Sequence, residues 1–158
     1  IHVSEYRDSE DITGKLGEVF NRSLSFITRN LRHIQRDQNV NAPGELEIPK
    51  ITLEELLTNA LVHRDYFVVA PVRIFIFDDR IEIISPGHLP NNLTIENIKK
   101  GNSNIRNPIL TSFATKILPY RGIGTGIRRA IKEYRDIEFQ DDRDGNTFSV
   151  IIHRKVIE

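Results

Sequence analysis

The sequence predicts an α+β fold: a two-layer sandwich in which helices cover one face of a mostly antiparallel mixed sheet, preceded by an N-terminal helical extension. Two periodicities carry this expectation. In several stretches apolar residues recur every three or four positions, the repeat of a helix with one buried side. In others they alternate with polar residues around short turn signals, the repeat of hairpin strands with one covered face. At 158 residues the chain suits one such domain with a small appendage, long enough to bury a core.

Ile12, Leu16, Phe20, Leu24, Ile27, Leu31 and Ile34 form one apolar stripe, which predicts a long helix from about Asp11 to Gln35. Such a stripe must be covered. It packs either on its own domain or, because the spacing is close to a heptad, between two protomers. From Asp37 to Glu47 the chain is polar and carries the turn signal Ala42-Pro43-Gly44, so a loop is expected. The domain boundary is drawn there, with 1–47 as helical extension and linker and 48–158 as the main domain.

Pro49 suits the first turn of a second helix, whose buried side is Leu53, Leu56, Leu57, Ala60 and Leu61 and which should end near His63. Val72, Ile74 and Ile76 alternate with Arg73, Phe75 and Phe77, and Ile81 to Ile84 follow Asp78-Asp79-Arg80. This reads as a hairpin closed by Ser85-Pro86-Gly87. Asn107-Pro108 is a helix start, with the Asn side chain positioned to accept from free amides, and the helix should run to about Ile117. Another helix is expected over Ile127 to Tyr134. Strands over Ile137 to Gln140 and Thr147 to His153 flank a turn at Asp144-Gly145-Asn146.

Composition narrows the function classes. A hydrophobic content of 39% and a charged content of 28% exclude disordered, collagen-like and membrane classes, and no apolar run approaches the ~20 residues of a membrane span. No secretory leader pattern is present. The absence of cysteine excludes disulfides, thiolate metal sites and a cysteine nucleophile, and fits a cytoplasmic protein. Lys plus Arg and Asp plus Glu both number 22, so no whole-domain basic field exists to attract nucleic acid, and any DNA binding is expected elsewhere. A chain that begins at Ile1 and has no methionine is expected to be a piece of a longer protein.

Two constellations bear on chemistry. Glu55, Asn59 and His63, at i, i+4 and i+8, line one stripe of a helix whose other side is leucine-rich. Glu55 is either the capping-box partner of Thr52 or a residue that orients or deprotonates a water. Asn59 either faces solvent or offers its amide oxygen as a hard ligand to a Mg²⁺ held mainly by phosphates. Gly122-Ile123-Gly124-Thr125-Gly126, leading into a helix, is either a tight connection or a cradle of backbone amides for phosphate. Arg121, Arg128, Arg129 and Lys132 add local positive charge. The Rossmann spacing and the Walker A loop are absent, which excludes a P-loop motor. His63-Arg64-Asp65 fails as a kinase loop because Ala70 stands where a metal-binding Asn is needed. No two of the five histidines have the spacing of a zinc site.

Taken in order, Glu55-Leu-Leu-Thr-Asn59-Ala-Leu-Val-His63, the hairpin ending in Ser85-Pro86-Gly87, a variable segment, Gly122-x-Gly124-x-Gly126 and Gly145-Asn-Thr147-Phe148 resemble the motif series of the GHKL, or Bergerat-fold, ATPases. That superfamily includes gyrase B, MutL, heat-shock-90 chaperones and histidine kinases. Within it, Asn59 to Tyr66, Pro86-Gly87-x-Leu89-Pro90 and Arg106-Asn107-Pro108 resemble the C-terminal domain of RecG-like transcriptional regulators, which carry a Schlafen AlbA-type DNA-binding domain upstream.

The resemblance implies ATP and Mg²⁺ as cofactors. It makes Glu55 the catalytic base, Asn59 the Mg²⁺ ligand and Gly122, Gly124 and Gly126 the phosphate cradle. His63, Ser85, Gly87 and Thr147 become nucleotide-binding positions, and Arg106, at the lid, a phosphate contact. One departure stands out: the adenine-contacting Asp of the superfamily is replaced by Ser85, a neutral acceptor, at a cost of about 1 to 3 kcal/mol or one to two decades in affinity. The implied functions are an ATP-binding regulatory domain with slow or no hydrolysis, which meets DNA only through the upstream domain, or a degenerate fold that serves only as a dimerisation or protein-interaction module without nucleotide binding, with a homodimer as one partner state.

Overall fold

Apolar residues occur on nearly every side of Lys50–His63, and this helix is the centre of the molecule. In the computed structural model, which describes residues 7–35, 44–120 and 125–155, the elements run α1 (Leu16–Arg29), β1 (His33–Ile34), β2 (Glu45–Leu46), α2 (Lys50–His63), β3 (Arg73–Ile76), β4 (Arg80–Pro86), α3 (Ile95–Lys99), α4 (Pro108–Ile117), α5 (Gly126–Glu133), β5 (Ile137–Asp142) and β6 (Thr147–His153). One sheet has the order β3-β4-β6-β5 and a second, small one pairs β1 with β2; every described pair is antiparallel.

Register explains how the sheet buries one face. Ile74, Ile83, Val150 and Phe139 lie side by side across the four strands, and so do Ile76, Ile81, Ile152 and Ile137. These two rows form the floor on which the helices sit, with Ile81, Ile83, Phe139, Val150 and Ile152 buried. The alternate rows mix Arg73, Glu82, Ser149, Gln140 and Glu138 with Ile84 and Ile151 and stay partly exposed. The fold is thus an α+β sandwich with a helical face and an open face.

Helix α1 covers α2. Phe20, Leu24, Ile27 and, just beyond the helix, Leu31 are buried in the same core as Leu53, Leu56 and Leu57, so the in-chain alternative for the stripe is the observed one. The helix is shorter than the stripe predicts. Gly14, at φ +127°, precedes it, and Asn30 ends it, donating its amide to Asp8 Oδ2 (2.7 Å) and to the Phe26 carbonyl (2.9 Å). Ile34 then leaves the core, 38% exposed, and β1 pairs with β2 at Glu45–Leu46, inside the stretch expected to be loop.

Other local corrections have simple causes. Pro49 sits at the N-cap of α2, and Thr52 lies inside the helix, where its hydroxyl donates to the Ala130 carbonyl at 3.2 Å and caps nothing. Ser85 and Pro86 belong to β4, paired with Phe148 and Thr147, and the chain turns only at Gly87. Helix α3, within the variable segment, starts with a capping box between Thr94 and Asn97. Asn107 does precede α4, but its side chain makes no cap there. Its Nδ2 donates to the Val62 carbonyl (3.0 Å) and the Arg64 carbonyl (2.7 Å), so it satisfies the C-terminal end of α2.

Replacing Asn107 by Ala removes both bonds and strands two partly buried carbonyls. The expected loss is about 1 to 3 kcal/mol, read as a lowered urea midpoint with an unchanged slope; a stability equal to the parent would contradict this role.

Candidate functional site

A cleft opens where the C-terminal half of α2 passes the end of β4. Its floor is apolar, from Leu56, Ile83, Leu89, Phe148 and Val150, and Leu93 and Ile98 of the segment carrying α3 form a further wall. Asn59 and His63 from α2, Ser85 and Gly87 from the end of β4, and Arg106 from the segment before α4 also line it. The structure therefore brings together five of the residues singled out in the sequence. Each gets there by local rules: Asn59 and His63 are one turn apart on one side of a helix, and Ser85 shares the inward strand face with Ile83.

The polar groups differ in how they are engaged. The Asn59 amide has no hydrogen-bond partner among the described residues. Ser85 is buried, and its hydroxyl donates to the Ala60 carbonyl at 3.2 Å. With its proton spent there, Oγ can act only as an acceptor toward anything else. Gly87 has φ +101°, and a Cβ there would lie 2.7 Å from the Cβ of Asp65 and 3.1 Å from Arg106 Nη1, so glycine is required on two counts.

The loop after Gly87 is tied to the β5–β6 turn. The amides of Gly87 and His88 donate to the backbone and side-chain oxygens of Asn146 (2.8 and 3.1 Å), and that of Leu89 to Asp141 Oδ1 (2.8 Å). Asn146 itself is left-handed, at φ +52°. Arg106 closes the other side: Nη1 donates to Asp65 Oδ2 at 3.0 Å and Nη2 to the His88 carbonyl at 2.5 Å, while Nε is buried without a partner among the described residues. Neither Asp65, which the sequence shows only within a rejected kinase loop and a family motif, nor His88 is assigned a site role by the sequence. They act through tertiary contacts that no local spacing announces.

Glu55 is set one turn back from the cleft. It is buried, ion-paired with Arg129 of α5, and so close to Gly126 that a Cβ on that glycine would overlap its other carboxylate oxygen. Gly126 is thus the first residue of α5 and the space into which Glu55 fits. Gly122 and Gly124 lie outside the described residues. Thr147, the first residue of β6, pairs with Pro86 of β4 but does not line the cleft, because the neighbouring Phe148 takes the inward position. Among the described residues no group of three or more His, Asp or Glu side chains is placed to hold a metal ion.

His63 ends α2 with its ring edge-on to Tyr120, centroids 6.4 Å apart. Burial, with a smaller contribution from the Arg106 charge, lowers its pKa from 6.5 to about 4. A histidine whose folded pKa is depressed is neutral in the fold at pH 7, whereas the unfolded chain takes up its proton below 6.5. Stability from this group is therefore present above pH 6.5 and lost as pH falls toward 4, by up to about 3 kcal/mol. Urea midpoints compared between pH 7.5 and 5 should fall less in His63→Asn than in the parent; parallel profiles would reject a neutral, half-buried His63. The Glu55–Arg129 pair makes a second claim. Arg129→Gln leaves a buried carboxylate unpaired and should cost about 3 kcal/mol, whereas Glu55→Gln with Arg129→Gln should recover part of that loss.

With this geometry in view, similarity to known proteins can be stated. A family model described as "Putative ATP-dependent DNA helicase recG C-terminal" matches residues 70–152, just over half of the chain, from the approach to β3 through most of β6. The match begins after α2, so it does not include Glu55, Asn59 or His63. No curated protein matches the chain. The crystal structure of the DIP2311 protein from Corynebacterium diphtheriae superposes with a TM-score of 0.72 at 20% identity, over 89% of this chain and 29% of that one, a likeness of fold. This chain spans less than a third of that protein. By the family match, the chain belongs to the RecG C-terminal family of ATPase-like domains.

Proposed function

We propose that this domain binds ATP with Mg²⁺ in the cleft and serves as a regulatory module of a RecG-like transcriptional regulator, with slow or no hydrolysis. The observation that carries the reading is Asn59: it lines a cleft with an apolar floor, and its amide has no protein partner among the described residues. An amide oxygen in that position is a suitable hard ligand for a Mg²⁺ whose other ligands are phosphate oxygens and water. Leu56, Ile83 and Val150 supply apolar surface for a purine, and the Ser85 hydroxyl, acceptor-only after its donation to Ala60, suits an exocyclic amino group.

The phosphates are assigned to the glycine segment ending at Gly126, with Gly122 and Gly124 as further backbone donors. Arg106 would contact phosphate by giving up Asp65 or His88. Glu55 is the candidate base, and its pairing with Arg129 favours slow turnover: an oxygen accepting from a guanidinium is not free to accept a proton from water. DNA is reached through an upstream domain, consistent with a net charge of zero here. No helix among the described residues is long and apolar enough to cross a membrane.

Calorimetric titration with ATP and a non-hydrolysable analogue, with and without Mg²⁺, tests the reading. Mg²⁺-dependent binding should be lost in Asn59→Ala while thermal unfolding is retained. Binding that is indifferent to Asn59 would remove the site assignment, and no binding up to millimolar nucleotide would favour a nucleotide-free interaction module.

A further inference from the structure

Helix α4 has two apolar sides. Its inner side is buried through Thr111 and Ala114, with Leu118 just beyond the helix. Its outer side is a ridge at four-residue spacing: Ile105, just before the helix, then Ile109, Phe113 and Ile117 are 54%, 77%, 55% and 53% exposed. Beside the start of this ridge lies the loop after α2, where Phe67 and Val69 are almost fully exposed. The Asp65–Arg106 bridge and the bond from Asn107 to the Arg64 carbonyl hold the two segments together.

We propose that this face is the homodimer interface, its occupant a second copy of the same chain bound about a two-fold axis. Area is the first reason. Taking about 150 to 250 Å² for each large aromatic side chain, and somewhat less for each aliphatic one, these exposed side chains offer on the order of 800 Å². That exceeds the 300 to 600 Å² of a typical monomer's largest patch and equals one partner's share of a standard interface.

Charge is the second reason. Helix α4 has no acidic residue, and its one cation, Lys116, lies over the Phe113 ring with Nζ 5.7 Å from the centroid. The face selects neither an acidic nor a basic partner, and two copies of a chain with zero net charge do not repel each other. A ridge at i, i+4 is also self-complementary when two copies cross, as an isologous contact requires. The α1 stripe, the other candidate for pairing, is already spent on the internal core.

The test is sedimentation equilibrium of the 158-residue chain at about 50 µM, where a micromolar Kd populates the dimer, for the parent, Ile109→Glu and Phe67→Glu. The parent should show twice the chain mass, and each variant should weaken association about tenfold or more by placing an unpaired charge in the contact. Circular dichroism and thermal unfolding should be retained, because both side chains are exposed in the protomer. A monomeric parent, or a dimer that neither variant weakens, would overturn the proposal.

Discussion

Burial of α2 on most of its circumference is the constraint to which the rest of the structure answers. A helix with Leu53, Leu56, Leu57, Leu61 and Val62 all buried needs cover on several sides. The floor comes from the two apolar rows of the sheet, one side from α1, and another from α5, whose Ala130 receives the Thr52 hydroxyl. The polar groups that such a helix carries inward must then each be paired or used. Glu55 is paired with Arg129, and the end of the helix is satisfied by Asn107. Among the described residues the Asn59 amide has no partner, and neither has the buried Thr58 hydroxyl beside it, but of the two only Asn59 lines the cleft.

Ser85 and Gly87 are fixed by the same helix. The hydroxyl of Ser85 reaches the Ala60 carbonyl because β4 runs directly beneath α2, and Gly87 is compressed between Asp65 and Arg106 because the chain leaves α2 and β4 at the same edge. A larger residue at position 87 would separate the two segments that close the cleft. The Ser85 hydroxyl is thus oriented by one backbone carbonyl, not by a charge.

Much of this was legible in the sequence, and what was not has identifiable causes. The strands β4 and β6 and the helices α2 and α5 follow from periodicity, and α4 from the Asn107-Pro108 start signal. Helix α1 was overextended because Leu31 and Ile34 continue its period although Asn30 ends it; one stays in the core by a turn and the other emerges on a strand. Asn107 was correctly placed at a helix start, but its bonds go to another helix, a tertiary choice that capping rules do not anticipate. Thr147 was brought into the site by its motif, whereas strand alternation gives the inward place to Phe148. Asp65, His88 and Arg129 were missed as partners because their roles exist only once distant segments meet.

Asp65 and His88, through Arg106, also connect the cleft to the outer surface. Arg106 spans His88 on one side and Asp65 on the other, and Asp65 begins the loop that carries Phe67 beside the α4 ridge. Asn107, the next residue, anchors α4 to the end of α2. If the proposed nucleotide's phosphate drew Arg106 away from Asp65, one of the contacts holding that loop against α4 would be released, and the two proposed faces would share a bond that both could bias. Coupling between nucleotide and self-association then requires no distant pathway, only competition for one guanidinium. Because linkage is reciprocal, association that stabilises the Asp65–Arg106 contact would weaken nucleotide binding by the same factor that nucleotide weakens association.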